Sequence, residues 1–300
     1  MKRLVVLLLA LMMLVLSASC TVTDKKTAGK SEKSARETKD RADVPKEITF
    51  TEMVALDNDR CTIKVTGIDP DDLMGYYAIK VFLENKTTDT NYLVTIREAF
   101  INGIASTPLM AATVDAGKKA NDSACFLDSF LGDALAKTDV TDIELTFRVT
   151  DNDDWTADAY FESTVHIYPY GEENATTFVR AGQPGDNVII DNESVTVIVT
   201  GYEKDPYFGY RANLFLVNKT DKKLCYNVEN ASVNGYMADP VYLAIVPAGK
   251  CAFDFMAWSD NILNENNINS VQKIEFVMKV NDFNNWSAPA LADEAITLIP

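Results

Sequence analysis

The chain repeats itself, and this constrains its fold more than any other feature. Val54-Ala55-Leu56-Asp57-Asn58 recurs as Val188-Ile189-Ile190-Asp191-Asn192, Val65-Thr66-Gly67 as Val199-Thr200-Gly201, and Gly75-Tyr76 as Gly209-Tyr210. Phe82-Leu83-Glu84-Asn85-Lys86-Thr87 matches Phe215-Leu216-Val217-Asn218-Lys219-Thr220. Asn102-Gly103 returns as Asn234-Gly235 and Gly117-Lys118 as Gly249-Lys250. Ile143-Glu144, Val149, Trp155 and Pro169 correspond to Ile274-Glu275, Val280, Trp286 and Pro300. The matches keep their order while the offset drifts only from 134 to 131 residues, which marks a duplication. Each unit is long enough to form its own core, so the expectation is two beads rather than a solenoid. The join lies between Pro169 and Asp186, where glycine, proline and polar residues cluster.

Within each unit the apolar residues mostly alternate. Cys61-Thr62-Ile63-Lys64-Val65, Val195-Thr196-Val197-Ile198-Val199 and Ile143 to Val149 read as strands with one buried face. Asn-Lys-Thr at 85 and 218 and Asn-Gly at 102 and 234 fall where turns are needed, and Asn-Gly tolerates positive φ. Short connecting helices are expected after Asp128, over 130–136, and at the counterpart Asp260 to Glu265. About seven short strands in roughly 110 residues predict an all-β fold of two tandem immunoglobulin-like β-sandwich domains, each with one short helix. The ordered set Asp-Asn, Val-Thr-Gly, Asn-Lys-Thr, Asn-Gly, Gly-Lys and closing Trp resembles a poorly characterised immunoglobulin-like module. That module occurs in secreted proteins and lipoproteins of Gram-positive bacteria and is related in fold to a secreted mycobacterial immunoprotective antigen. The resemblance covers residues 47–169 and 186–300; it implies the fold and carries over no functional residue.

The first twenty residues have the layout of an export signal: Lys2 and Arg3, an apolar run from Leu4 to Leu16, then Ser17, Ala18 and Ser19 before Cys20. That run is short for a membrane-spanning helix, which needs about 20 apolar residues. Leu16-Ser17-Ala18-Ser19-Cys20 resembles a bacterial lipobox, with the aliphatic residue four rather than three places before the cysteine. The resemblance implies acylation of Cys20; the alternative is an ordinary signal peptide with an incidental cysteine. Residues 21–43 contain no aromatic and almost nothing apolar, so they cannot bury enough surface to offset ordering. A flexible coil of that length spans roughly 25–30 Å. The expected organisation is a signal peptide at 1–19, a lipidated Cys20 and tether at 20–46, a first domain at 47–169, a linker at 170–185 and a second domain at 186–300.

The formal charge is −16, and because the segment up to Asp43 is net basic, the two units carry about −20. Nucleic acid, whose phosphates require a basic surface, is excluded as a partner class. Besides Cys20 there are cysteines at 61, 125, 225 and 251, an even number that permits disulfides outside the cell. The expected pairs are Cys61 with Cys125 and Cys225 with Cys251, against the alternative of buried free thiols.

Catalysis is not expected. The only histidine, His166, lies on a strand at a position where the other unit has Thr297, which suits an outward-facing residue. Asp69-Pro70-Asp71-Asp72 and Asp151-Asn152-Asp153-Asp154 are rich in hard oxygen ligands for calcium, but neither has EF-hand spacing and both residue types form turns. No metal or cofactor is therefore expected. Trp155, Trp258 and Trp286 are read as core residues. Pro206-Tyr207-Phe208-Gly209-Tyr210 is the surface candidate, an aromatic turn whose counterpart is Leu73-Met74-Gly75-Tyr76, and Tyr207, Phe208 and Tyr210 are the candidate ligand contacts. The functional expectation is a non-enzymatic lipoprotein on the extracellular side of the cell surface. Its lipid would hold it to the membrane, and its modules would bind or space a surface protein or glycan. The alternatives are a carbohydrate- or wall-fragment-binding lipoprotein accessory to a transporter or hydrolase, and a hydrolase using paired carboxylates.

Overall fold

The structure, a computed structural model, describes residues 47–126, 137–154 and 156–300. The signal peptide, Cys20, the tether, the helix expected over 130–136 and Trp155 lie outside the described residues.

Alternating burial along the chain produces an all-β fold. The first repeat supplies β1 (Met53–Asp57), β2 (Cys61–Asp69), β3 (Tyr77–Asn85), β4 (Tyr92–Ile101) and β5 (Ile104–Ser106). It continues with β6 (Ala111–Val114), β7 (Lys119–Phe126), β8 (Ile143–Asp151) and β9 (Phe161–Ile167). The second repeat supplies β10 (Asn187–Asp191), β11 (Val195–Asp205), β12 (Gly209–Asn218), β13 (Leu224–Val233) and β14 (Tyr236–Met237). It ends with β15 (Ala244–Val246), β16 (Cys251–Trp258), the helix α1 (Asp260–Glu265), β17 (Ile274–Asp282) and β18 (Ala292–Leu298). The pairing scheme is the same in both. β1-β2-β3-β7 matches β10-β11-β12-β16, and β4-β8-β9, with β5 and β6 on β4, matches β13-β17-β18, with β14 and β15 on β13.

Each repeat encloses its own core between its two sets of strands. In β8, Ile143, Leu145, Phe147 and Val149 are buried while the residues between them are not. They meet Ile63 and Val65 of β2 and Val81 and Leu83 of β3. In the second repeat Val197, Leu214, Leu216, Tyr226, Met256, Trp258 and Met278 form the equivalent cluster. Burying one such side chain contributes about 1.5–3 kcal/mol.

The repeated motifs are structural devices. Asn85 is buried; its Nδ2 donates to the carbonyls of Thr90 (2.8 Å) and Val114 (2.9 Å), and its Oδ1 accepts from the backbone N–H and hydroxyl of Thr87. Asn218 does the same with Lys222, Val246 and Thr220. A buried amide with every group bonded fixes the loops it ties together. Lys86 Nζ reaches Asp57 Oδ1 and the Asn58 carbonyl, as Lys219 Nζ reaches Asp191 Oδ1 and the Asn192 carbonyl. Asn102-Gly103 and Asn234-Gly235 form tight turns with φ of 50° and 84°, and 52° and 86°.

Each repeat has a core of its own, and the two also pack on one another. The end strand β16 of the second repeat pairs in parallel with β5 of the first at Cys251 and Ile104, joining two sheets into one of nine strands. The outer face of β11, β12 and β16 supplies Ile198, Phe215, Val217 and Phe253 to the first repeat's apolar cluster. Residues 170–185 form part of this contact: Phe178 N–H donates to the Asn102 carbonyl at 2.8 Å, and the Phe178 ring lies 6.2 Å from Phe215 and 6.0 Å from Phe253. Arg180 makes a bidentate pair with Asp186 at 2.6 and 2.7 Å and covers the Phe215 ring. Once its apolar residues pack, a linker of this kind no longer acts as a hinge.

Candidate functional site

The aromatic turn between β11 and β12 is built on Asp205. Its Oδ1 accepts from the backbone N–H groups of Tyr207 (2.7 Å) and Phe208 (2.9 Å), which closes the turn and points both side chains outward. Its Oδ2 accepts from Arg211 at 2.8 Å. The N–H groups of Phe208 and Tyr207 hold the Asp205 carboxyl below its usual range, with Arg211 adding to the effect. The Arg211 guanidinium lies 4.1 Å from the centre of the Phe255 ring and bonds Glu203, and the Phe208 ring packs tilted against Phe255 with centroids 5.2 Å apart. The ring of Tyr207 is left 90% exposed on a turn that is tightly bonded beneath it.

The three candidate contact residues are therefore split. Tyr207 and Phe208 reach solvent, whereas Tyr210 is half-buried, packs on the second repeat's core and stacks on Tyr202 at 6.2 Å. Burial pushes the Tyr210 hydroxyl up to about 12. The first repeat carries the same device, with Asp72 Oδ1 accepting from the N–H groups of Met74 and Tyr76 and with Leu73 and Met74 exposed. Sequence reasoning missed these two side chains as surface residues. The signal was present: an aspartate precedes the apolar pair in both repeats.

Other sequence-level candidates have structural placements. Asp72, Asp151 and Asp154 accept hydrogen bonds from N–H groups of their own turns. His166 is exposed, with Nδ1 2.9 Å from Asp142 Oδ1 and its ring stacked on Tyr168. It borders an open groove of about 400 Å³ formed with Thr49, Phe50, Met53 and Glu172. Trp258 is a core residue, its Nε1 donating to the Ala238 carbonyl at 2.9 Å. Trp286 is not; it is 59% exposed.

The expected disulfides are corrected. All four described cysteines are free. Cys61 lies opposite Asn85 and Cys125 opposite Ala78, seven residues apart along β3, or roughly 23 Å at 3.3 Å per residue. Cys225 lies on β13, in a different sheet from Cys251 on β16. Burial pushes the thiols of Cys61, Cys225 and Cys251 up to about 11, which makes them small apolar core residues rather than nucleophiles.

No family model matches the chain. No curated protein matches it either. Among solved structures it is similar to the YadV chaperone at 14% identity, with 74% of this chain and 92% of that one covered and a TM-score of 0.21. A protein of unknown function from Porphyromonas gingivalis W83 is 12% identical over 83% of this chain and 99% of its own, with a TM-score of 0.20. Red sea bream transglutaminase is 8% identical over 84% of this chain and 31% of its own, with a TM-score of 0.21. Likeness at these scores carries no argument about function.

Proposed function

We propose that this chain is an exported, lipid-anchored protein whose two immunoglobulin-like modules form one binding unit at the cell surface, without enzymatic activity. The observation that carries the binding role is the Asp205-anchored turn, which presents Tyr207 and Phe208 to solvent on a fixed backbone. A rigid aromatic tip loses little side-chain entropy on docking, and this favours such residues as anchors. Export and anchoring rest on the sequence around Lys2, Arg3 and Cys20 and on the polar tether that follows. Two or three acyl chains, at about 0.8 kcal/mol per buried methylene, hold a soluble domain firmly.

Two measurements test the parts of this reading separately. Replacing Cys20 with Ala is expected to release the protein into the medium; retention on the cell overturns the lipid anchor. For the binding role, the Tyr207→Ala variant, which truncates the 90%-exposed side chain, is expected to unfold at nearly the wild-type temperature, because surface substitutions usually change stability by less than about 0.5 kcal/mol. The same variant is expected to lose the ligand-dependent rise in melting temperature that the wild type shows in a panel of muropeptides, oligosaccharides and surface-protein extracts. An unchanged response in the variant removes the turn as the binding site. Exposed rings also suit stacking on sugars, so a response confined to oligosaccharides selects the glycan-binding form of this proposal.

A further inference from the structure

The contact between the two repeats is head to tail, so it uses a different face of each copy and leaves one face of each unused. The second repeat docks with the start of β16. Cys251 N–H donates to the Gly103 carbonyl at 3.1 Å, and Lys250, one residue earlier, pairs with Glu144 on β8. The first repeat receives it with the Asn102-Gly103 turn, β5 and Glu144. Lys223 with Glu98 adds a second ion pair across the same contact.

The unused faces carry the same elements. In the first repeat Lys118 stands where Lys250 stands in the second. The turns before them agree, with Gly117 at φ 69° and Gly249 at φ 67°, Lys118 N–H donating to Asp115 and Lys250 N–H to Pro247. β7 is the last strand of its sheet, as β16 would be without β5. In the second repeat the Asn234-Gly235 turn reproduces Asn102-Gly103 within 2° in φ, and Glu275 stands where Glu144 stands. β14 occupies the place of β5, with Tyr236 and Met237 both more than half exposed.

We propose that a second copy of this chain docks the Lys118 face of its first repeat onto the Glu275 face of the second repeat, repeating between chains the contact made within the chain. The charges suit this arrangement. Where the second repeat's docking face has Ile198 and Cys251, the first has Lys64 and Lys119, and the receiving face carries Glu229 and Glu275. These groups now make exposed pairs within their own sheets, such as Lys119 with Glu84 at 3.1 Å and Glu275 with Lys273 at 2.7 Å. Exposed pairs contribute little and can exchange partners. Because the apolar Val217 and Phe253 become Glu84 and Asn121 on the free face, the contact between copies is weaker and more salt-sensitive than the one within the chain. A head-to-tail contact without closure produces open rows rather than dimers. Confinement on a membrane would favour such rows by raising effective concentration.

Sedimentation of the full chain carrying Cys20→Ala, which removes lipid-driven clustering, tests this directly. The expected result is a weight-average mass that rises with protein concentration at low salt, with association about tenfold weaker at high salt. Lys118→Glu and Glu275→Lys should each leave a monomer with an unchanged melting temperature, because like charges then face each other. An equimolar mixture of the two variants should regain association, since every junction between unlike chains again pairs opposite charges. A wild type that stays monomeric at every concentration overturns the proposal. So does association that neither substitution weakens, or a mixture that remains monomeric.

Discussion

Gly209→Ala is expected to destabilise the second repeat by about 4 kcal/mol or more, while Gly75→Ala, at the equivalent position, costs the first repeat about 1–2 kcal/mol. Both glycines follow the Asp-anchored turn, Gly209 as the first residue of β12 and Gly75 two residues before β3, and both have positive φ, 80° at Gly75 and 82° at Gly209. An alanine at either site meets the steric cost of left-handed backbone. The surroundings differ. A Cβ on Gly75 would find only Asp71 Oδ1 at 3.9 Å, whereas one on Gly209 would lie 2.3 Å from the Trp258 carbonyl oxygen and 3.0 Å from Asp260 N. Those are backbone atoms and cannot rotate aside. Relief requires β12 to move away from β16 at the Tyr210 and Trp258 pair, which also disturbs the buried indole and its bond to Ala238. Denaturant melts of the two variants check this, and equal losses would show that the close approach does not constrain the second repeat.

The strands, the Asn-Gly turns, the helix at Asp260 to Glu265 and the equivalence of the two repeats follow from alternation and self-similarity, because those patterns set local geometry whatever surrounds them. The buried networks around Asn85 and Asn218 were legible as repeated positions but not as networks, since a motif of three residues does not say which distant carbonyls close around it. The docking of the repeats was written in their differences. Ile198, Val217 and Phe253 sit on the solvent side of a strand pattern where the first repeat has Lys64, Glu84 and Asn121, and only a covered surface explains that change.

The failures have the same origin. An even cysteine count suggested pairing, but the strand register that separates Cys61 from Cys125 is a tertiary fact. Size matching between Trp155 and Trp286 suggested a core position, yet Trp286 sits in the loop between β17 and β18, where no sheet covers it. The candidate turn was found because it is local. Its separation into two exposed rings and one packed ring was not, because Tyr210 faces inward only once Tyr202 and the core are in place.

Asp254→Asn is expected to stabilise the protein at pH 7 by on the order of 2 kcal/mol, and the gain should vanish below pH 4. Asp254 shares the inward side of β16 with Ala252 and Met256, and its Oδ1 accepts the backbone N–H of Phe255 at 2.7 Å. Burial pushes its carboxyl up to about 6, only partly offset by that bond. Tyr242 lies close to it, a neutral group that offers no countercharge, and the Tyr242 hydroxyl is buried without a partner. Because the folded carboxyl holds its proton more tightly than the unfolded one, whose ordinary value is 3.8, its contribution is greatest below pH 4. That contribution is lost as pH rises through 6. Carboxyls held low, such as Asp186, pulled down to about 2 chiefly by Arg180, act in the opposite direction. They are common to both proteins and cancel in the difference. Asparagine retains the acceptor for Phe255, removes the unpartnered charge and adds an N–H near Tyr242. The first repeat supplies the control: Asp122 makes the same bond to the next N–H at 2.7 Å but is exposed, so Asp122→Asn should change stability little at any pH. Melting curves of the wild type and both variants from pH 4 to 8 check this. A stability difference for Asp254→Asn that does not vary with pH would mean that the carboxylate is not held in an apolar interior.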